Sequence, residues 1–387
     1  MLAVALLVAG VAGAIARPRG LPAWASPTAA AAAGWAVGAL GHPSASIRPL
    51  LSPITFLLAA VPLAALLDRL GFFAAAASVL GRGEHLAAGL WAFGALVTTV
   101  LNLDASVVLL TPLYVQIARR RGLDPVALAF QPVLLSCLAS SALPVSNLTN
   151  LIVASDRHLH AGDFLAHLAP SSAAATIVGW FVYRRCFPLT PTASAPAEGA
   201  DIRALTVGGI VVGGVLIGFI LGPAVGLPEW GTALIADAAL MVATRQVPRL
   251  AVPWGTALVA GSLGVLAGGA AGHLQLRTLL TGSGDLDLAR IAVVAAAGAN
   301  LVNNLPALLV ALRYTSGGIW ALLIGVNVGP LVLVTGSLAA LLWQASLVGM
   351  GIQVTGRQFA RVGLRVLVPA LAAAVATLLA LRPVVGP

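Results

Sequence analysis

Asp104 is an acid set inside a long apolar run, in the stretch Thr98-Thr99-Val100-Leu101-Asn102-Leu103-Asp104-Ala105-Ser106. A charge at the centre of a bilayer costs about 2.5–3.5 kcal/mol on insertion scales. An acid so placed is suited to exchange a proton or to bind a cation such as Na⁺. The plainer reading is a helix cap, because Asp is a favoured N-cap and a helix can start at Ala105. The other polar groups in comparable surroundings are neutral. Ser146, Asn147, Thr149 and Asn150 follow Pro144; Asn303 and Asn304 precede Pro306; Asn327, Gly329 and Pro330 are followed by Thr335, Gly336 and Ser337. Such side chains either satisfy the carbonyls freed at a proline kink or bind a solute through its hydroxyl groups. Helix N-termini at such places favour anions, and free carbonyls favour cations.

The elements that must hold these residues are membrane helices. The chain is 59% hydrophobic and 9% charged, against roughly 25% charged for a soluble domain. The mean hydropathy of +1.00 agrees. The 21 basic residues are all arginine and stand singly or in short groups between apolar runs. That spacing argues for topology control rather than nucleic-acid binding, despite a net charge of +9. Cys137 and Cys186 match no metal or disulfide pattern, and no phosphate-binding glycine loop occurs. No cofactor is expected. An intramembrane enzyme would need a nucleophile–base pair or metal ligands, and the apolar runs supply neither.

Spans are expected near 2–16, 24–40 and 51–67, then an amphipathic piece at 71–80. The run 85–118 is interrupted at Asn102–Asp104, the run 126–156 at Leu143–Asn147, and 164–183 is clean. Residues 184–203 form the one sizeable polar linker. The order then repeats: 204–222, 230–244, 251–272, 288–312 interrupted at Asn303–Pro306, 319–350 interrupted at Asn327–Pro330, and 362–382. The expected organisation is a first repeat at 1–183, a cytoplasmic linker at 184–203 and a second repeat at 204–387. If 85–118 is a re-entrant hairpin, most arginines fall on the cytoplasmic side and each half has five crossings. Five is odd, so the second half is inverted relative to the first. The fold class expected is therefore an all-α polytopic membrane protein of two inverted-topology repeats, each with a re-entrant hairpin. Paired breaks at matching places in two halves mark a solute site at mid-membrane. Asp237, mid-span, is expected to pair between helices; His158, His160, His167 and Asp163 read as an interfacial turn. The eight tryptophans lie mostly near span ends.

Leu143-Pro-Val-Ser-Asn-Leu-Thr-Asn-Leu-Ile-Val153 resembles the arsenite permease family (ArsB type). So do Gly325-Val-Asn-Val-Gly-Pro330, Thr335-Gly-Ser-Leu-Ala-Ala-Leu-Leu-Trp343, the Asn-x-Asp hairpin ending in Leu-Leu-Thr-Pro112, and the Asn303-Asn-Leu-Pro306 tip. The resemblance runs in order along essentially the whole chain. It departs at Leu103, which separates Asn102 from Asp104, and at Val332–Val334, where polar residues are frequent. It implies the fold of the wider ion transporter superfamily, which includes anion/Na⁺ symporters and Na⁺/H⁺ antiporters. It also implies efflux of arsenite or antimonite in exchange for H⁺ across a bacterial plasma membrane, with a cytosolic ATPase as an optional partner. Asp104 would couple the ion. Asn102, Ser146, Asn147, Thr149, Asn150, Asn303, Asn304, Asn327, Gly329, Thr335, Gly336 and Ser337 would bind the solute. Such a hydroxide is uncharged at neutral pH, and the breaks contain no arginine to clamp a carboxylate. Cys137, the one soft ligand nearby, reads as a small core residue.

Overall fold

The computed structural model describes residues 1–40, 47–80, 85–188, 201–245 and 252–385. They form helices joined by short turns. In the first half these are α1 (Leu2–Ala16), α2 (Ala25–Ala36), α3 (Leu51–Arg69), α4 (Phe72–Leu80), α5 (Leu86–Leu101), α6 (Leu103–Arg120), α7 (Pro125–Leu138), α8 (Leu148–Arg157), α9 (Ala161–His167) and α10 (Ala169–Cys186). The second half has α11 (Ile202–Leu221), α12 (Glu229–Thr244), α13 (Trp254–Ala271), the short α14 (Arg277–Leu280), α15 (Asp285–Val302), α16 (Asn304–Ala311), α17 (Ile319–Val328), α18 (Leu338–Gly349) and α19 (Gly356–Val385). Most of the polar linker, 189–200, lies outside the described residues.

Among the described residues, α3, α11, α13 and α19 are each long and apolar enough to cross a bilayer. The pair α9–α10, bent by 49°, makes a fifth. α5, α7, α17 and α18 are apolar but shorter. The 14 residues of α7 rise about 21 Å at 1.5 Å each, short of a hydrocarbon core of roughly 30 Å. These short helices meet a partner end to end at the breaks the sequence predicts: α5 and α6 at Asn102, α7 and α8 across Ala139–Asn147, α15 and α16 at Asn303, α17 and α18 across Gly329–Ser337. The last break is longer than Asn327–Pro330. α17 continues through Asn327 to Val328, and regular helix resumes only at Leu338.

The two halves of the sequence interleave in space. α1 and α2 pack on α13, α3 packs on α12, and α10 packs along α19. Phe56 of α3 meets Phe219 of α11 edge-on at 5.8 Å. Ala3, Leu7 and Val11 share a core with Leu263, Leu266 and Ala270. An aromatic layer joins the halves behind the broken helices: Trp343 stacks edgewise on Phe130 at 5.0 Å, and its indole N–H donates to the Ala129 carbonyl at 2.7 Å. Lipid supplies no hydrophobic force between helices, so close backbone approach through small residues matters more. α17 uses Gly325 and Gly329 for this. A Cβ at Gly325 would meet the Ala292 carbonyl, and one at Gly329 would lie 2.5 Å from Ala296 Cα. α17 is thereby pressed backbone to backbone against α15.

Candidate functional site

Both hairpin tips are built by one device. Asn102 has φ 129° and ψ 147°, and Asn303 has φ 81° and ψ 149°. A non-glycine residue in this region costs about 1–3 kcal/mol, so each must be held there by its surroundings. In each tip the asparagine side chain caps the helix that follows. Asn102 Oδ1 accepts from Asp104 N at 2.9 Å, and Asn303 Oδ1 accepts from Leu305 N at 3.3 Å. The Asn303 amide also donates to the Thr335 carbonyl at 3.1 Å, fastening the second tip to the second break. By this correspondence Asp104 matches Leu305, and Asn304 matches Leu103. The cap at the first tip is Asn102, so the expectation that Asp104 itself caps a helix starting at Ala105 gives way to an acid in the first turn of α6.

The two long breaks are closed by side chains. At the first, Ser146 Oγ donates to the Thr99 carbonyl at 2.6 Å, and Asn147 caps α8 by accepting from Thr149 N at 3.1 Å. The Asn150 amide donates to the carbonyls of Ser140 and Leu143, both at 2.9 Å. At the second, Asn300 does the equivalent work. It donates to Gly329 O at 2.8 Å and accepts from Val332 N and Leu333 N, each at 3.1 Å. Ser337 caps α18. Buried backbone polar groups that leave a helix need such partners.

Asn327 joins the two breaks. Its Oδ1 accepts from Asn147 Nδ2 at 3.0 Å and from Thr149 Oγ1 at 2.7 Å. Its Nδ2 donates to Asn150 Oδ1 at 2.7 Å and to Ser141 Oγ at 3.2 Å. All four bonds of the amide are made inside the protein, and the residue is buried. Cys137, in α7, lies 3.8 Å from the Pro330 carbonyl on the same crossing.

A cavity of about 70 Å³ opens in front of this crossing. One water needs roughly 10–15 Å³, so it has room for a few waters or a small solute. Its polar wall carries Asp104, Asn147, Thr149, Asn303 and Asn304. The first residues of α6, α8, α16 and α18 all border it: Leu103, Leu148, Asn304 and Leu338. Four helix N-termini therefore converge on one space, each equivalent to roughly half a positive charge. Among the described residues, Asp104 is the one acid on the cavity wall, and no basic residue lines it. Its Oδ1 is sealed from solvent and has no hydrogen-bond partner. A carboxylate oxygen buried bare is costly until a proton or a cation joins it.

Of the residues singled out in the sequence, Asp104, Asn147, Thr149, Asn303 and Asn304 share this wall. Asn102, Ser146, Asn150, Asn327, Gly329, Thr335, Gly336 and Ser337 stand behind it, holding the breaks. Asp237 lies apart on α12, buried, and its Oδ1 has no hydrogen-bond partner, contrary to the pairing expected. In the turn that carries the histidines, Asp163 accepts from His160 N at 2.7 Å, and His167 stacks on Trp320. Thr256 of α13, which also lines the cavity, carries no sequence signal because it lies in a plain apolar span.

Apolar helices broken in register around a cavity with one polar wall define a multi-pass membrane protein of the secondary transporter class. The family model for citrate transporters (CitMHS) matches residues 1–336, and the chain belongs to that family. The match is to the citrate transporter model and does not confirm the arsenite permease resemblance, so an arsenite substrate does not follow from it.

Proposed function

We propose that the protein exports a small uncharged hydroxide, trivalent arsenic or antimony, in exchange for protons carried by Asp104, across a bacterial plasma membrane. One observation carries this reading: the cavity gathers amides, two threonine hydroxyls and four helix N-termini around a single acid, with no basic side chain among the described residues on its wall. Amides and backbone N–H groups can bind three hydroxyl groups without a charged clamp. A tricarboxylate would meet Asp104 with no opposing cation. The repeated order of elements, with the same strained asparagine at both tips, supports reading the halves as inverted repeats of five spans and a hairpin. The short helices α7–α8 and α17–α18 would then each cross the bilayer as a broken pair.

A second reading is favoured by the same four N-termini and by the family's name: a small carboxylate anion carried with a cation that neutralises Asp104. Everted vesicles from cells lacking their own exporter separate the two. The first reading expects arsenite uptake driven by an acid interior and abolished by an uncoupler. Citrate uptake with no arsenite uptake would overturn it in favour of the second. Na⁺-driven proton movement without either solute would make the protein a cation/H⁺ antiporter.

A further inference from the structure

The cavity has two unlike walls. Apart from the broken helices it is lined by Val11, Ala14 and Ile15 of α1, Ala23, and Val259, Ala260 and Leu263 of α13. The single polar side chain on that apolar wall is Thr256.

Several hydroxyls inside the other membrane helices are spent on their own backbone, while Thr28, Thr111 and Thr232, which do not line this cavity, have no partner. Thr55, Thr206, Thr244, Ser262 and Thr377 each donate to the carbonyl four residues earlier, at 2.6–2.9 Å. That is the usual fate of such a group in an apolar helix. Thr256 has no such bond. It stands in the first turn of α13, and the carbonyl four residues back, Val252, is taken by the Trp254 N–H at 2.8 Å. Its hydroxyl is left free, half-buried, at the cavity edge.

We propose that Thr256 is a solute-binding and specificity-determining residue, supplying the one hydrogen bond from the part of the cavity that α1 and α13 line. This rests on the reading that the cavity holds the transported solute. A solute anchored only on the polar wall would need polar groups on one side. Thr256 selects for one that also presents a hydroxyl or oxygen toward α13. Because a hydroxyl both donates and accepts, it suits a protonated hydroxide and does not demand an anion.

The test is transport kinetics in vesicles, using as probe whichever of arsenite and citrate the wild type moves. Thr256→Val keeps the shape and removes the hydroxyl; Thr256→Ser keeps the hydroxyl and removes the methyl. One neutral hydrogen bond corresponds to a rise in KM of roughly three- to tenfold. Thr256→Val should show that rise with an unchanged maximal rate, and Thr256→Ser should stay near the wild type. Wild-type kinetics in Thr256→Val overturn the proposal, as does a Thr256→Ser protein impaired as much as Thr256→Val. If Thr256→Val does not reach the membrane, Thr256→Ala poses the same question against Thr256→Ser. A wild type that moves neither probe sinks the function itself, a result distinct from either.

Discussion

The two hairpin tips share a backbone and differ in chemistry. Each turns on an asparagine with positive φ whose side chain caps the next helix. Two residues beyond the turn, one tip has Asp104 and the other Leu305; one beyond, one has Leu103 and the other Asn304. The fold thus repeats a device for placing a helix N-terminus at the cavity, and each copy puts a different group on it. The first copy carries an ionisable oxygen without a partner. The second carries a neutral amide. Architecture is duplicated, while the ionisable group is confined to one tip.

The breaks differ in the same spirit. The first is closed partly from within, by Asn150 on the Ser140 and Leu143 carbonyls, and partly by its own hairpin, through Ser146 to the Thr99 carbonyl and Thr99 to the Ala139 carbonyl. The second is closed from outside, by Asn300 of the neighbouring hairpin. The second tip and second break are therefore one mechanical unit, tied also by Asn303 to the Thr335 carbonyl.

Exchanging the chemistry of the tips is the sharpest way to break this comparison. Asp104→Asn should reduce proton-driven accumulation at least about tenfold while leaving facilitated, downhill flux measurable. A variant that still accumulates solute in a pH-dependent manner would show that coupling lies elsewhere, with Asp237 the next candidate. Asn327→Leu comes second. It strips four bonds and strands Asn147, Asn150, Thr149 and Ser141, at a cost of about 3 kcal/mol or more. Thermal unfolding in detergent should show it as the least stable of the asparagine variants. Third, Asn303→Gly should be milder than Asn303→Ala. Glycine adopts the positive φ freely, whereas alanine combines the strain with the lost cap, a difference of about 1–2 kcal/mol. The same order should hold at Asn102, and equal stability of the glycine and alanine forms would mean the backbone there is not strained. Smallest is Ser337→Ala, which removes one cap, about 1 kcal/mol, and should shift the melting temperature only slightly without altering KM.

Much of this was legible in the sequence, and the reason differs from residue to residue. The breaks were visible because proline and asparagine inside apolar runs conflict with an uninterrupted membrane helix. Asp104 stood out because an acid in hydrocarbon is costly. The roles of Asn150 and Asn327 were not legible: an amide in a break looks the same whether it binds a solute or closes four bonds at home. The cap at the first tip is ambiguous in the sequence for a similar reason. Asn102 and Asp104 are both good caps, and only the backbone angle decides between them.

By itself the sequence determined that the chain is a membrane protein, where its helices break, and that one acid stands among neutral groups. Those follow from composition and local propensity, which each segment carries alone. Tertiary structure decided which polar groups face open space and which are spent on each other. It also decided that helices from opposite halves interleave, and that a threonine in an ordinary span faces the cavity. A hydrogen bond between residues 177 positions apart, such as that of Asn327 with Asn150, has no local signature. It exists only once packing has brought the two breaks together.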